Sequence, residues 1–309
     1  ERAYTLFDNM ARRMVDAQAP GLAGRLRAME AIDFDSESWK SDLTESMGRL
    51  YLLMQSYRNM DGLPEEWKDE IRTQIGYPQS KDNVLAGEPV AYLIGEWEFY
   101  GLPLDISSDV LIPRPDTEVL VDEALPYIQT LGSCRVLDLC AGSGCIGLAI
   151  AAHAPGVRGV LGEYSDAALK VCRQNVRRCG LTARMIPMQV NALERPDRAL
   201  GEFQCIVSNP PYIPRNDIPE LDHSVRDYEP HLALDGGEDG LDFYRAICEK
   251  WTAALVPGGR LYFEVGIGQA DSVLRLMRAP GFGDIQVVKD HNDIPRVVFG
   301  TLCSEVYSE

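Results

Sequence analysis

The sequence lacks several features that would place a protein in a familiar class. No stretch approaches the roughly eighteen uncharged apolar residues of a membrane-spanning helix. Residues 1–16 alternate charged and apolar types and lack the basic-then-apolar order of a signal peptide. With 45% apolar and 25% charged side chains among 309 residues, the composition is that of a globular protein. We therefore expect a protein without a membrane anchor that works in the cytoplasm.

Signatures of metal binding and disulfide chemistry are also missing. The four histidines have no second histidine or cysteine at ligand spacing, so we expect no metal site. The eight cysteines include no Cys-x-x-Cys pair, and most of them fall within apolar patterns. Such cysteines are typical of reduced thiols in a core.

Basic side chains are scarce, with 30 lysines and arginines against 47 acids and a net charge of −17. A surface of this sign repels nucleic-acid phosphates unless a basic patch is segregated from it. Residues 209–242 carry nine acids against only Arg215 and Arg226. If a functional site lies in this segment, its mouth is acidic and a partner with a basic surface is expected.

The spacing of apolar residues changes twice along the chain. Residues 1–86 show apolar stripes at helical spacing, which predicts a small N-terminal helical domain. Residues 87–113 suggest a linker that contains a β-hairpin, with strands over 91–100 and 104–106 and a Gly-Pro turn between them. Residues 114–309 form the third predicted unit. At its start, Arg114 lies between prolines in a surface loop, and Asp116 or Thr117 is expected to cap the following helix.

Strands and helices alternate in the third unit, which predicts an α/β fold with right-handed βαβ units and a mainly parallel sheet. The last two strands are joined by a short polar loop and indicate an antiparallel pair at one edge. The predicted strands are residues 135–139, 157–161, 184–190, 204–207, 260–265, 284–289 and 296–302.

The sequence Asn209-Pro210-Pro211-Tyr212 follows a short apolar strand and is the stretch most indicative of chemistry. In open α/β folds such a position lies at the carboxyl edge of the sheet, where ligands bind. Two consecutive prolines hold the backbone rigid and remove two donors. The Asn209 side chain and the Pro210 carbonyl therefore suit a planar NH2 group, whose two hydrogens they can accept.

A glycine-rich turn, Cys140-Ala141-Gly142-Ser143-Gly144, links an earlier strand to a helix. Such turns let the backbone approach a ligand at a helix N-terminus, and a dinucleotide is one candidate. Asp138 near the strand end would repel a pyrophosphate but can hold a cationic amino group, which favours S-adenosylmethionine. Glu163 ends the next strand, where an acid can accept both ribose hydroxyls.

Together these motifs resemble the amino-methyltransferases, and the choice within that group comes from further stretches. In order, Gly87-Glu88-Pro89, residues 98–101, residues 112–118, Tyr228-Glu229-Pro230, residues 233–237 and residues 264–298 look like the bacterial release-factor glutamine methyltransferases.

The resemblance implies a class I methyltransferase (Rossmann-like) fold, a mixed seven-stranded sheet with an antiparallel edge strand, in residues 114–309. It implies methyl transfer from S-adenosylmethionine, without a metal, to N5 of a glutamine, the Gly-Gly-Gln glutamine of peptide chain release factors. A monomer that docks its partner through residues 1–86 is expected.

The resemblance also implies roles for individual residues. Asp138, Cys140, Ala141, Gly142, Ser143, Gly144, Glu163, Asn191, Ala192 and Asn209 would contact the cofactor; Asn209, Pro210, Pro211, Tyr212, Arg114 and Phe99 would contact the substrate, with catalysis assigned to Asn209, Pro210 and Tyr212. The family usually has Asp where Glu163 stands, and Asp plus a bulky residue where Asn191 and Ala192 stand.

Three other functions remain open from the sequence alone. A nucleic-acid amino-methyltransferase acting on adenine N6 or guanine N2 would flip a base into the same pair of acceptors. It is disfavoured by the net charge of −17. A regulator that binds S-adenosylmethionine without catalysis is disfavoured by the intact Asn209 and Pro210. A dehydrogenase is disfavoured by Asp138 beside the glycine turn.

Overall fold

The computed structural model describes residues 88–303. The chain divides into two compact units, residues 1–86 and residues 87–309. The helices predicted for residues 1–86 lie outside the described residues, and the role of that unit in partner docking stays a prediction. Within residues 88–303, no helix is long and apolar enough to cross a bilayer.

Seven helices and nine strands follow one another in the described chain. They are α1 (Val90–Ile94), β1 (Glu96–Phe99), β2 (Leu102–Asp105), α2 (Glu118–Leu131), β3 (Cys134–Leu139), α3 (Cys145–His153), β4 (Val157–Glu163), α4 (Asp166–Arg178), β5 (Met185–Gln189), β6 (Phe203–Ser208), α5 (His223–Arg226), α6 (Asp242–Lys250), β7 (Leu255–Glu264), α7 (Ala270–Arg278), β8 (Phe282–Lys289) and β9 (Pro295–Leu302), with short 3₁₀ helices at Pro115–Thr117, Arg198–Leu200, Arg215–Glu220, His231–Ala233 and Thr252–Ala254.

Strands β3 to β9 form one seven-stranded sheet in the order β5-β4-β3-β6-β7-β9-β8. The pairs from β5 to β7 are all parallel, whereas β9 runs antiparallel to both β7 and β8. The predicted α/β class, the mixed sheet and the antiparallel pair at one edge are therefore confirmed. Strand β8 lies at the edge and runs in the same direction as β7. Strand β9 lies between them and runs in the opposite direction.

The sheet separates two apolar cores because its buried strands point alternate side chains to opposite faces. In β3, Val136 packs into one core with helices α2, α3 and α4, whereas Leu137 and Leu139 pack into the other. The second core contains the inner faces of α6 and α7, including Tyr244 and Val273. Asp138 follows Val136 by two residues and Glu264 follows Tyr262 by two, so both point to the face of the first core. Their carboxylates therefore lie on the side of the sheet that helix α2 covers.

The region before the sheet differs from the prediction in two respects. Residues 91–94, expected as a strand, belong to helix α1, which follows Pro89 and ends at Gly95 in the left-handed region (φ 74°). A glycine there is the usual helix stop, and it limits α1 to five residues. The hairpin turn is formed by Tyr100 (φ 51°) and Gly101 (φ 77°) and not by a Gly-Pro pair, since Pro103 lies within β2. Two consecutive positive φ angles are typical of the tight type I′ turn.

Helix α2 begins without the expected side-chain cap. Thr117 precedes its first residue but adopts helical backbone angles (φ −69°, ψ −22°) and makes no capping hydrogen bond. The cap prediction for Asp116 or Thr117 was therefore wrong. The Thr117 hydroxyl oxygen instead accepts the Asn209 Nδ2–H at 3.4 Å.

Candidate active site

The carboxyl ends of β3, β4 and β6 meet at one edge of the sheet. Leu139 pairs with Gly162 on one side and with Ser208 on the other, so the loops that follow these strands emerge together. The chain order along the sheet reverses between β3 and β6, and ligands of open α/β folds bind at such a switch point. The structure brings to this edge the predicted residues Asp138, Cys140, Ala141, Gly142, Ser143, Gly144, Glu163, Asn191 and Asn209 to Tyr212.

The glycine turn adopts a tight left-handed course. Cys140 (φ 65°), Gly142 (φ 53°) and Gly144 (φ 84°) all have positive φ, and Gly144 precedes helix α3. The turn is fixed internally, since the Gly144 N–H donates to the Ala141 carbonyl at 2.7 Å. A cysteine in this conformation is uncommon because its Cβ crowds the backbone. Burial and the neighbouring Glu163 raise the pKa of the Cys140 thiol, so it stays neutral.

Glu163 is buried at the end of β4 and connects two loops of the site. One carboxylate oxygen accepts the Gly142 N–H at 2.8 Å, and the other accepts the Ser165 N–H at 2.8 Å. Each carboxylate oxygen has a further lone pair, so the group can still accept hydroxyl donors. The acid thus holds the glycine turn in place and remains suited to bind a diol.

Asp138 is completely buried beneath the start of helix α3. Its Oδ2 accepts the Gly147 N–H at 2.8 Å, whereas its Oδ1 has no hydrogen-bond partner among the residues described. The pKa of Asp138 is raised to about 7, mainly by burial; the Gly147 N–H opposes this shift and the nearby Glu163 adds to it. An unpartnered carboxylate oxygen beside the turn fits the ammonium of an amino-acid moiety, directly or through one water.

The residues after β5 offer less to a ligand than the resemblance implied. The Oδ1 of Asn191 accepts the Leu193 N–H at 3.0 Å, and its Nδ2 donates to Glu194 at 3.1 Å. Ala192 is buried in the second core, and its carbonyl accepts the Trp251 indole N–H at 3.0 Å. The methyl group of Ala192 therefore faces the core and not the open edge, and only Asn191 keeps an oxygen lone pair at this position.

The Asn209-Pro210-Pro211-Tyr212 stretch leaves β6 next to the glycine turn. Ser208 anchors its start, because its hydroxyl donates to the Leu139 carbonyl at 2.6 Å. Asn209 is half-buried, and its Nδ2 donates to the Thr117 hydroxyl oxygen at 3.4 Å. The side-chain oxygen of Asn209 accepts no hydrogen bond from residues 88–303.

The backbone of Tyr212 is fixed by close contacts with two glycines and by a hydrogen bond from a side chain. A Cβ on Gly236 would lie 2.7 Å from the Tyr212 Cα, and one on Gly240 would lie 2.3 Å from the Tyr212 carbonyl oxygen. The Gln269 amide donates to that carbonyl at 2.8 Å and accepts the Gly266 N–H at 3.1 Å. Burial and nearby Glu264 raise the pKa of Tyr212, so the phenol stays neutral.

Two predicted substrate contacts have different surroundings. Arg114 is partly exposed and forms an ion pair with the buried Glu229, which also accepts the Ile112 N–H at 3.3 Å. Burial raises the pKa of Glu229, and Arg114 opposes that shift. The ion pair connects the loop of residues 112–118 with the Tyr228-Glu229-Pro230 stretch. Phe99 is only 1% exposed and packs in the first core, which leaves it no open surface for a substrate.

Three residues that support the site were missed by sequence reasoning. Asn175 in α4 is buried and donates to the carbonyls of Asp105 and Ser143, each at 3.0 Å. Its signal was a polar residue within the apolar stripe of a helix. Glu264 ends β7 directly after the apolar run Leu261-Tyr262-Phe263, a signal of the same kind. Gln269 carried no comparable signal, since it lies in a glycine-containing loop before α7.

Metal ligands are not assembled anywhere in residues 88–303, since no group of three or more His, Cys, Asp or Glu side chains is placed to hold an ion.

Comparison with known proteins adds sequence relatives to this geometry. Residues 114–222 match the family model of the methyltransferase small domain, and residues 1–75 match that of the SWIM-associated four-helix bundle domain. The release factor glutamine methyltransferase of Geobacter sulfurreducens is 45% identical over 217 residues, covering 70% of this chain and 74% of the relative. The chain belongs to the release factor glutamine methyltransferase family.

A second sequence relative carries the same family name, and two solved structures are similar to this chain. The Clostridium acetobutylicum enzyme of that name is 41% identical over 210 residues, covering 68% of this chain and 74% of its own length. A release factor-specific protein-(glutamine-N5) methyltransferase from Alicyclobacillus acidocaldarius superposes with a TM-score of 0.40 at 33% identity, covering 65% of this chain and 99% of that one. The catalytic domain of hMettl16 shares the fold alone, with a TM-score of 0.51 at 14% identity over 68% of this chain and 79% of its own.

Proposed function

We propose that this chain transfers a methyl group to the N5 side-chain nitrogen of a glutamine in a peptide chain release factor. The observation that carries the proposal is the placement of Asn209. Its Nδ2 is engaged with Thr117, which leaves its oxygen as an acceptor at the sheet edge beside the glycine turn. The names of the relatives favour a protein glutamine over a nucleic-acid base.

S-adenosylmethionine, when bound, supplies an electrophilic methyl group on its sulfonium. Glu163 is proposed to accept the ribose hydroxyls, Asp138 to hold the amino group, and the backbone from Cys140 to Gly144 to enclose the methionine end. Asn191 would accept a hydrogen bond from the adenine amino group through the remaining lone pair of its side-chain oxygen. These roles agree with the buried, unpartnered Oδ1 of Asp138 and with the two loops that Glu163 joins.

A carboxamide nitrogen is a weak nucleophile because its lone pair is delocalised into the carbonyl. Asn209 Oδ1 and the Pro210 carbonyl are proposed to accept one N–H each and so aim the nitrogen at the methyl carbon. As the new N–C bond forms and the methyl–sulfur bond breaks, S-adenosylhomocysteine would be left as product and the nitrogen would become positive, so both acceptors would bind its hydrogens more tightly. One proton leaves to solvent afterwards. Tyr212, fixed by its glycine neighbours, would pack on the amide plane together with Pro211.

The partner proposed here is a release factor that presents a basic surface to the acidic segment 209–242. Arg114, held by Glu229, would contact the substrate backbone at the edge of the site. The proposal includes docking through residues 1–86, a monomeric enzyme and a cytoplasmic location. Phe99, the last residue of β1, is proposed only as a packing residue of the first core.

The first test is direct labelling. The chain is incubated with a release factor and methyl-labelled S-adenosylmethionine, and mass spectrometry locates the label. We expect one labelled glutamine, no transfer when that glutamine is replaced by glutamate, and poor transfer to asparagine, whose nitrogen falls about one methylene short. Label in DNA or RNA and none in protein would overturn the assignment of the substrate.

The second test separates substrate orientation from cofactor binding. Asn209→Ala should lower the methyl-transfer rate about a hundredfold or more, as for one lost transition-state acceptor, and leave S-adenosylmethionine affinity within a few-fold. Asn216→Ala is the matched control, because Asn216 is exposed in the same loop. Equal losses of rate in both variants, or a large loss of cofactor affinity in Asn209→Ala, would contradict this role.

A further inference from the structure

The turn after β7 carries the most exposed large apolar side chain in residues 88–303. Ile267 is 75% exposed, although the chain before it is buried as far as Gly266. A single apolar residue on a protein surface is common and needs no explanation by itself. What sets Ile267 apart is its place on a fixed turn beside the proposed site.

Hydrogen bonds within the turn hold its backbone. The Gln269 N–H donates to the Gly266 carbonyl at 3.1 Å, and the Gly266 N–H donates to the Gln269 side-chain oxygen, also at 3.1 Å. Gly268 has φ 82°, which is typical of the third residue of a type II turn. Ile267 is therefore the second residue of a tight turn. Its two neighbours in the chain are glycines, which have no side chain to cover it.

The turn lies beside the loop that follows β6. Strands β6 and β7 are parallel neighbours with Ser208 opposite Phe263, so the two loops leave the same edge of the sheet. A Cβ on Gly266 would lie 2.9 Å from the Cδ2 atom of the Tyr212 ring. Because consecutive Cα atoms are about 3.8 Å apart, the Ile267 Cα lies within about 8 Å of that ring.

The Gln269 side chain also ties the turn to its surroundings. Its amide donates to the Tyr212 carbonyl at 2.8 Å and to the Gly240 carbonyl at 3.3 Å. A surface that is already ordered loses little conformational freedom when a partner covers it. An apolar side chain held on this turn therefore adds to binding without the cost of ordering a loop.

We propose that Ile267 contacts the release factor segment that carries the target glutamine, within about three residues of that glutamine. The inference rests on the proposed function, because it adds a substrate contact to the same site. With the glutamine amide packed on Tyr212, a span of about 8 Å corresponds to about two or three residues of extended peptide.

The chemistry of Ile267 defines what it contacts. Its side chain offers neither charge nor hydrogen bond, so a charged partner group placed on it would lose water without compensation. It therefore selects uncharged residues beside the glutamine. The acids of residues 209–242 attract a basic partner over a longer distance, whereas Ile267 acts only in direct contact.

Three variants test the contact by kinetics. Ile267→Ser should raise KM for the release factor about five- to twentyfold and keep kcat within about two-fold, because binding shared by ground and transition states is lost. Ile267→Leu keeps the apolar surface and should stay within about two-fold in KM. Ile186→Ser is the matched control, since Ile186 is 58% exposed on β5, with three strands between it and β7. S-adenosylmethionine affinity should be unchanged in all three.

Salt separates this contact from electrostatic attraction. Salt screens charges and not apolar contacts, so the increase in KM of Ile267→Ser should be the same factor at about 50 and 200 mM salt. Equal KM values for Ile267→Ser and Ile186→Ser would overturn the proposal. A loss confined to kcat in Ile267→Ser would overturn it as well.

Crosslinking provides a readout that does not require methyl transfer. Ile267 or Ile186 is replaced in the full chain by the photoreactive apolar residue p-benzoylphenylalanine, and each protein is irradiated with an unmethylated release factor and S-adenosylhomocysteine. Crosslinks from position 267 should fall within about three residues of the Gly-Gly-Gln glutamine, and position 186 should give none there. Absence of these crosslinks from position 267 overturns the contact, even if the glutamine is methylated. Crosslinks there without any transfer to glutamine reject the proposed function and keep the contact.

Discussion

Asp138 lies completely buried under helix α3, and burial raises its pKa from an ordinary value of 3.8 to about 7. Between about pH 4 and about pH 7, the folded, cofactor-free protein therefore holds a proton there that the unfolded chain has released. A group whose pKa is raised by folding stabilises the fold at low pH. That contribution is lost as the pH rises from about 4 through about 7.

Asp138→Asn should accordingly change stability in a pH-dependent manner. Relative to the variant, the cofactor-free original protein should lose up to about 1.4 kcal/mol of unfolding free energy per pH unit between pH 5 and 7. At pH 8 the variant should bind S-adenosylmethionine at least about tenfold more weakly, since it lacks the charge for an ammonium. Denaturant unfolding at several pH values and calorimetric titration measure the two effects.

Glu249→Gln is the control for this experiment because Glu249 is exposed on helix α6. It should show neither a change in cofactor affinity nor a pH-dependent difference in stability. A constant offset between Asp138→Asn and the original protein from pH 5 to pH 8 would refute the buried-proton explanation.

At the residue scale, the sequence revealed those groups that are contiguous or that end a strand. Asn209, Pro210 and Tyr212 were recognisable because they are adjacent, and Glu163 because it follows an apolar strand. The contact between Thr117 and Asn209 was not recognisable, since it joins residues from distant parts of the chain. Thr117 also had a plausible local role as a helix cap, and only the packing of α2 against the sheet shows that its hydroxyl is used elsewhere.

At the scale of elements, Asn175 links three of them. From the buried face of α4 it accepts the Asp105 N–H at 2.6 Å and donates to the carbonyls of Asp105 in β2 and Ser143 in the glycine turn. The β1–β2 hairpin is thereby attached to the turn that precedes α3. Loss of this side chain leaves three backbone groups without partners in a buried place.

Asn175→Ala should therefore lower stability and weaken the cofactor site together. We expect a loss of about 2 to 4 kcal/mol of unfolding free energy from the unsatisfied groups. A several-fold weaker affinity for S-adenosylmethionine should accompany it, because the turn loses its anchor. Gln174→Ala, at the exposed neighbouring position, should change neither quantity by a measurable amount. An unchanged affinity in a destabilised Asn175→Ala protein would show that the turn holds its shape alone.

The seven strands of the sheet were predicted because each is an apolar run bounded by turn residues. The mispredicted piece, helix α1, is only five residues long and too short to show a helical period. Its helical state depends on the stop at Gly95 and on packing against the hairpin. The bounds of β7 were also set by pairing, since it begins at Leu255 beside Phe203, earlier than its apolar run.

At the scale of the whole molecule, the net charge of −17 predicts how the enzyme meets its partner. Asp217 and Glu220 are exposed in the loop that follows Tyr212, close to the proposed site. Opposite charges at such a rim speed association and are screened by salt within about 10 Å at 0.1 M. Affinity for a basic release factor should thus fall several-fold between about 50 and 200 mM salt.

Asp217→Asn combined with Glu220→Gln should flatten that salt dependence and lower the association rate. Glu202→Gln combined with Glu249→Gln removes equal charge from exposed positions just before β6 and near the end of α6, outside the acidic segment 209–242. This control pair should leave the salt dependence nearly unchanged. Association kinetics by surface plasmon resonance compare the two pairs. Affinity that is flat or rises with salt in the original protein would contradict steering by the acidic segment.

The position of β9 affects how the protein matures on the ribosome. β9 is the last strand of the described chain, yet it lies between β7 and β8 and brings Arg296 beside Glu264. A nascent chain that already contains Asn209 and its loop still has this charge cluster unfinished. At about 5 to 20 residues per second, several seconds separate translation of residue 209 from that of residue 296. During this interval the edge of β7 is open, so a stalled or truncated chain would expose an unpaired strand, a natural target for chaperones and proteases.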